Sequence, residues 1–297
     1  MTPSSASHNS YQSSNNNKNY RFDEMVLDTG EPMDLQQIQI PLMNTSTSKR
    51  YVTDDGIILP CIDNDLRKRL FEQSYKHGFN KDRQIECMGR CCAEMAIQLV
   101  GGPLRFSPKN NHQKPSILVL ANSSDLQGAY ALCTARLLSN RSCKIYLFVS
   151  KTNPSKDEVN EYFQTELNLF RSIDLPSNTI LSSVDDLKNL YSIDLIINGI
   201  DSSSMITSQA TGQTWYKNLV KYVDNCKASV LSIDPCSEGT AIHSKWCIVP
   251  VLPLEMSNRC GRVYLCDLGF TKNMFQSVNI KYKSPFGAKF LIPLHDD

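Results

Sequence analysis

The stretch that most constrains the fold is residues 115–138, PSILVLANSSDLQGAYALCTARLL. Its apolar run Ile117-Leu118-Val119-Leu120 has the length and branching of a strand buried on both faces. A polar loop follows, Asn122-Ser123-Ser124-Asp125. Residues 126–138 then place Leu126, Ala129, Leu132, Cys133 and Leu137 at helical spacing, with Arg136 on the other face. Strand, tight loop and helix form the first half of a βαβ unit. In such units the loop at the strand's carboxyl end, with the start of the helix, makes a natural crevice for anions and nucleotides. Gly128 is the single glycine of this turn, so neither G-x-G-x-x-G nor a phosphate loop is present. A packed turn with no ligand satisfies the same pattern, and Asp125 reads equally as a helix cap.

A chain of 297 residues with 41% hydrophobic content can build one large domain or two small ones around a real core. The formal net charge of +1 lacks the global basic footprint of a dedicated nucleic-acid binder. No apolar run reaches the ~18 residues of a membrane span, and the amino terminus lacks the apolar core of a signal peptide. The 11 cysteines include no C-x-x-C pair. Cys133, Cys143, Cys226, Cys247 and Cys266 lie in apolar or periodic stretches, which suits reduced, buried thiols of a cytosolic protein. Cys87 and Cys91 share a helix face, and His243 precedes Cys247 by four. No second pair at metal spacing accompanies either, so no metal site is expected.

Along the chain, residues 1–19 are rich in Ser and Asn and cannot bury enough surface to offset ordering entropy. Residues 20–48 carry small apolar clusters and read as an arm against the body or a partner, or as a linker. The body begins near Arg50, dividing the chain into a disordered or extended part over 1–48 and one domain over 49–297. Residues 52–60 are extended around a turn at Asp54-Asp55-Gly56. Asp63 caps a helix over 66–77 that ends at Gly78, and Asn80 caps a second over 83–100 that ends at Gly101-Gly102-Pro103. Gly89 inside the second helix marks the close approach of another backbone or of a ligand, with close helix packing the favoured reading. The connection 105–114 is locally basic through Lys109, His112 and Lys114, which suits either phosphate contact or plain solvation.

After the opening unit, β and α segments alternate. Strands are expected at 143–149, 179–182, 194–200, 229–234, 244–249, 262–266 and 289–293, with helices at 155–170, 185–191, 215–223 and 271–278. This predicts an α/β fold with a mainly parallel sheet, helices on both faces and two leading helices. Three polar loops then fall at carboxyl ends of strands: Asn122 to Gly128, Asn198 to Asp201, and Asp234 to Gly239. If the strand order unites them, Asn122, Ser123, Asp125, Gln127, Gly128, Asn198, Asp201 and Asp234 line one crevice. Paired carboxylates there can move protons. None of the three loops holds a histidine or lysine, which argues against nucleophilic or hydride chemistry.

The order of several segments resembles the YjeF amino-terminal domain family, and within it the branch of mRNA-decapping enhancers. The segments are YVTDDGIILP (51–60), ECMG (86–89), LVGGP (99–103), PKNNHQKP (108–115), DLIINGID (194–201), WYK (215–217), VLSIDP (230–235), GRVYLCDLG (261–269) and SPFGAKFLIPL (284–294). They span residues 51–294. The resemblance implies a Rossmann-like three-layer sandwich. It also implies a homodimeric domain in an RNA-associated scaffold that bridges the decapping enzyme and its activators in cytoplasmic granules (P-bodies).

The family's enzymes are NAD(P)HX epimerases, and this chain departs from them at the chemistry. Their phosphate-binding N-N-G-G-D-G loop is matched here by Leu126-Gln127-Gly128-Ala129-Tyr130-Ala131. Their strand aspartate is matched by Asn198, while their S-I-D aspartate is kept as Asp234. The expected function is therefore non-catalytic, with no required cofactor and no catalytic residue. An NAD-like or other nucleotide ligand, held as substrate of an epimerase or as a sensed signal, is the alternative. Members of the branch also carry an Lsm domain and an F-D-F helicase-binding segment. Here Phe22-Asp23 is followed by Glu24, so contact with a DEAD-box helicase is assigned to segments outside this chain.

Overall fold

The computed structural model describes residues 38–40, 49–141, 143–150, 158–202 and 210–297. The Ser/Asn-rich tail and most of the 20–48 arm lie outside them. The body opens on a hairpin of β1 (Arg50–Val52) and β2 (Ile58–Pro60), which pair antiparallel across the Asp54-Asp55-Gly56 turn. Helices α1 (Asn64–Lys76) and α2 (Lys81–Leu99) start where the caps foretell. Asp63 accepts from the Leu66 amide at 2.6 Å and Asn80 from the Arg83 amide at 3.0 Å. The basic connection then forms two short 3₁₀ turns, Pro103–Phe106 and Pro108–Gln113.

The alternating part follows as β3 (Ser116–Ala121), α3 (Leu126–Ser139), β4 (Lys144–Val149), α4 (Glu158–Arg171), β5 (Asn178–Leu181) and β6 (Leu195–Gly199). It continues through α5 (Thr214–Asn225), β7 (Ser229–Ile233), β8 (Trp246–Pro250), β9 (Arg262–Cys266), α6 (Lys272–Gln276), β10 (Leu291–Pro293) and β11 (His295–Asp296). Eight strands form the main sheet in the order β10-β9-β8-β7-β6-β3-β4-β5. All pairs are parallel except β10 with β9. From β3 the chain winds outward through β4 to β5, then returns to β6 on the other side and winds away. The β3/β6 boundary is therefore the topological switch point.

The continuous apolar run of β3 is explained by burial on both faces. Ile117, Val119 and Ala121 pack in the cluster with α2 and α3, while Leu118 and Leu120 pack with Tyr216 and Leu219 of α5. Each such fully buried Leu or Ile contributes roughly 1.5–3 kcal/mol. Gly89 lets α2 approach α3, since a Cβ there would lie 2.4 Å from the Cys133 sulfur. The cysteines are all free thiols, buried except for the half-buried Cys87 and Cys226. Among the described residues no helix is long and apolar enough to cross a membrane.

Three local expectations change. Asp125 holds the cap position of α3 but makes no side-chain capping bond. Helix α6 is shorter than expected, because Asn279 adopts φ 62° and the Ile280 amide closes back on the Phe275 carbonyl at 2.9 Å. Strand β11 was not expected at all. It pairs antiparallel with β1, so the end of the body is bound to its beginning in a small sheet ordered β11-β1-β2.

Candidate functional site

The carboxyl ends of β3, β6 and β7 do bring the three polar loops together, in two layers. The lower layer is buried. Asn122 donates to Asp125 at 2.5 Å, and its carbonyl oxygen accepts from the Ser150 hydroxyl at 3.0 Å. The Ser202 hydroxyl donates to the same Asp125 oxygen at 2.6 Å, tying the β3 loop to the β6 loop. Asn198 donates to Asp201 and to the Ser232 hydroxyl, each at 3.0 Å, and accepts from the Ile200 amide at 3.1 Å. Tyr216 donates to Asp201 at 2.8 Å, and the Thr240 hydroxyl donates to its other oxygen. Burial still pushes the Asp201 carboxyl up, against the lowering effect of bonds from Thr240, Asn198 and Tyr216. Such a network rigidifies what lies above it.

The upper layer is a crevice of about 400 Å³ between α1, the start of α3 and the end of β7. The Arg67 guanidinium meets the Asp234 carboxylate at 2.5 Å, with side chains only 14% and 11% exposed. The Gln127 amide donates to the Asp234 carbonyl at 3.2 Å. Asp234 itself sits at φ 45°, a left-handed conformation that Asp and Asn tolerate better than most residues. Tyr130 accepts from the Gln84 amide, whose carbonyl oxygen accepts from the Tyr75 hydroxyl at 2.9 Å. Burial first, and then the nearby Asp234 charge, hold the Tyr130 hydroxyl well above its ordinary value, so it stays protonated.

Placement of the expected site residues follows from these layers. Asp125, Gln127 and Asp234 line the crevice. Asn122, Asn198 and Asp201 lie in the buried floor, and Ser123 is buried in the β3 loop. A Cβ on Gly128 would stand 1.8 Å from the Asn122 carbonyl oxygen, so this glycine serves the close approach of α3 to the β3 loop. Lys109, His112 and Lys114 are exposed at the opposite end of β3, about 20 Å away at the rise of a six-residue strand. Arg67, Lys68 and Tyr130 of the crevice wall were not foreseen. Arg67 lies 167 residues from its partner Asp234, and no local pattern marks such a pair.

Beyond the exposed Lys68, the crevice has little charge left for a ligand. Arg67 and Asp234 neutralise each other. The Asp125 carboxylate, held by Asn122 and Ser202 beside the amino end of α3, would repel a phosphate bound there. Among the described residues, one group of potential metal ligands, Glu86, Cys133 and Glu166, falls within 4.8 Å. Arg136 fills it, pairing with Glu86 at 2.5 Å and Glu166 at 3.2 Å.

Residues 81–250 match the family model described as "YjeF-related protein N-terminus". Over 278 residues the chain is 39% identical to a Gallus gallus protein named "Enhancer of mRNA-decapping protein 3", covering 93% of this chain and 52% of that one. The Homo sapiens protein of the same name is 37% identical over 280 residues, with the same 93% and 52% coverage. The Drosophila melanogaster protein of that name is 29% identical over 313 residues, covering 93% of this chain and 43% of its own length. The chain spans about half the length of the curated relatives it matches. A solved structure titled "Crystal structure of yeast ynu0, YNL200c" superposes with a TM-score of 0.59 at 14% identity, over 79% of this chain and 100% of that one. At that identity the likeness is one of fold.

Proposed function

The chain belongs to the family of YjeF-related protein N-termini, and from that premise we propose that it acts in mRNA decapping as a non-catalytic scaffold domain. It forms a homodimer, associates with RNA and brings the decapping enzyme and its activators together. Segments outside this chain engage a DEAD-box helicase. The work is cytoplasmic, in P-bodies. Dimerisation doubles the valency of whatever the chain is joined to, which raises avidity without new contacts.

The observation that carries the non-catalytic reading is internal satisfaction of the crevice. Asp234 is paired with Arg67, and the family's strand aspartate is replaced by Asn198, whose amide is spent on Asp201 and Ser232. A carboxylate in place of Asn198 would lie about 3 Å from that of Asp201, and two such groups do not both ionise readily. The test is an epimerase assay on NADHX and NADPHX beside a true epimerase. No turnover is expected; turnover near the control overturns the reading and makes Asp234 the first residue to mutate. Light scattering at high micromolar concentration tests the dimer, and a monomer there overturns that part.

One observation favours a second reading, a nucleotide sensor without turnover. The crevice is of ligand size and Lys68 is exposed on its wall. Calorimetric titration with NADH decides it: saturable heat that Lys68→Glu abolishes supports a sensor, and no heat removes it.

A further inference from the structure

The amino ends of the parallel strands carry a row of cations that the crevice does not use. Arg262 opens β9 and Lys245 immediately precedes β8, where Trp246 stands opposite Arg262. Lys227 lies two residues before β7, Lys114 two before β3, and Lys144 opens β4. All five are exposed. In the strand order β9-β8-β7-β6-β3-β4 they extend across five intervals of about 4.8 Å, or about 24 Å. The row steps between β7 and β8, because Trp246 pairs with Leu231 rather than with the first residue of β7. Among the described residues none of the five has a carboxylate within ion-pairing distance. Asp194 in the middle of the row is taken by Arg105 at 3.3 Å, and Asp224, exposed at the end of α5, leaves the edge net positive.

Aromatic rings interleave with these charges. The Lys245 ammonium lies 4.7 Å from the centre of the Trp246 ring, and Lys144 lies 5.7 Å from that of Tyr146. Tyr191, just before β6, is 86% exposed. Cations beside the exposed Tyr191 and the half-buried Trp246 and Tyr146 supply both the charge and the rings that a single strand with unstacked bases uses. An acidic peptide would use the charges and leave the rings idle.

We infer that the amino-terminal edge of the central sheet is a track for single-stranded RNA, with phosphates along Lys114, Lys144, Lys227, Lys245 and Arg262 and bases on Trp246 and Tyr191. This rests on the RNA association proposed above and names its surface, which also takes in the 108–113 turn with Lys109 and His112. Five phosphate contacts to a single strand give a logarithmic salt slope of about −3.5, and each lost cation flattens it by about 0.7.

The experiment is fluorescence anisotropy of a labelled 15-nucleotide oligouridylate with the whole chain, titrated at several salt concentrations. Two double variants, Lys245→Ala with Arg262→Ala and Lys144→Ala with Lys227→Ala, should each bind about tenfold more weakly at low salt, with slopes flatter by about 1.4. Lys272→Ala, at the opposite edge, should bind as the parent does, and all variants should melt at the parent's temperature. Wild-type affinity and slope in both double variants would overturn the track while leaving RNA association intact. No binding by the unmodified chain would overturn RNA association itself, and the track with it. Competition by polyglutamate as effective as by unlabelled RNA would overturn the choice of nucleic acid.

Discussion

At one edge of the central sheet polar groups face one another; at the other, cations face water. Both edges are made of the connections between strands of the same sheet. At the carboxyl edge, β3 and β6 part at the switch point, and the loops fold inward over the gap. There Asn122, Asp125, Asn198, Asp201 and Ser202 satisfy each other below, and Arg67 meets Asp234 above. At the amino edge the chain returns to the sheet, after helices before β4 and β7 and through a loop before β8, and Lys144, Lys227 and Lys245 are left on the rim. The difference teaches that polarity in a loop at a ligand-prone position does not make a binding site. What counts is whether the protein has already used the group.

The comparison can be broken most severely at Gly128. Gly128→Val would drive a side chain into the Asn122 carbonyl, and should cost about 3 kcal/mol or more by urea denaturation. A loss below about 1 kcal/mol would mean that the floor is looser than described. Asn198→Asp comes next, at about 2–3 kcal/mol near neutral pH. Its pH dependence has a definite sign. Burial raises the Asp201 carboxyl, so the folded chain keeps its proton to higher pH than the unfolded chain, and this contribution to stability is lost as pH rises. A second carboxyl beside it steepens that loss. The deficit of the variant should therefore shrink on acidification towards about pH 3, below the ~3.9 of an unfolded Asp, where both states are largely protonated; a deficit that grows on acidification would refute the account.

Arg67→Ala leaves Asp234 without its cation in a crevice that water can enter. It should cost about 2 kcal/mol, less than the ~3–5 kcal/mol of a fully buried pair. The double variant with Asp234→Ala should recover part of this, and strict additivity would deny the coupling. The smallest effect belongs to the other edge. Lys245→Ala and Lys144→Ala should each change stability by no more than about 0.5 kcal/mol in the same denaturation series. A loss above about 1 kcal/mol would show that the rim is structural after all.

Much of this architecture is legible in local patterns. The β3 run, the Asp63 and Asn80 caps, the close packing at Gly89 and the position of the three polar loops all follow from neighbours a few residues apart. The site was legible in outline only. The residues named from sequence divide between crevice wall and buried floor, and Asp125 serves the network instead of capping α3. Arg67 was invisible because its partner lies 167 residues away, and β11 because its pairing with β1 joins the two ends of the body.

The sequence by itself determined the alternation of apolar strands and amphipathic helices, and with it a parallel sheet whose polar loops collect at strand ends. Those features are periodic, and burial of apolar surface enforces them segment by segment. Only the tertiary structure decided which polar groups are spent inside and which remain facing water. That depends on the strand order β10-β9-β8-β7-β6-β3-β4-β5, which sets distant residues within hydrogen-bonding reach. At such range a carboxylate becomes part of a wall or part of a site according to the partner that reaches it first.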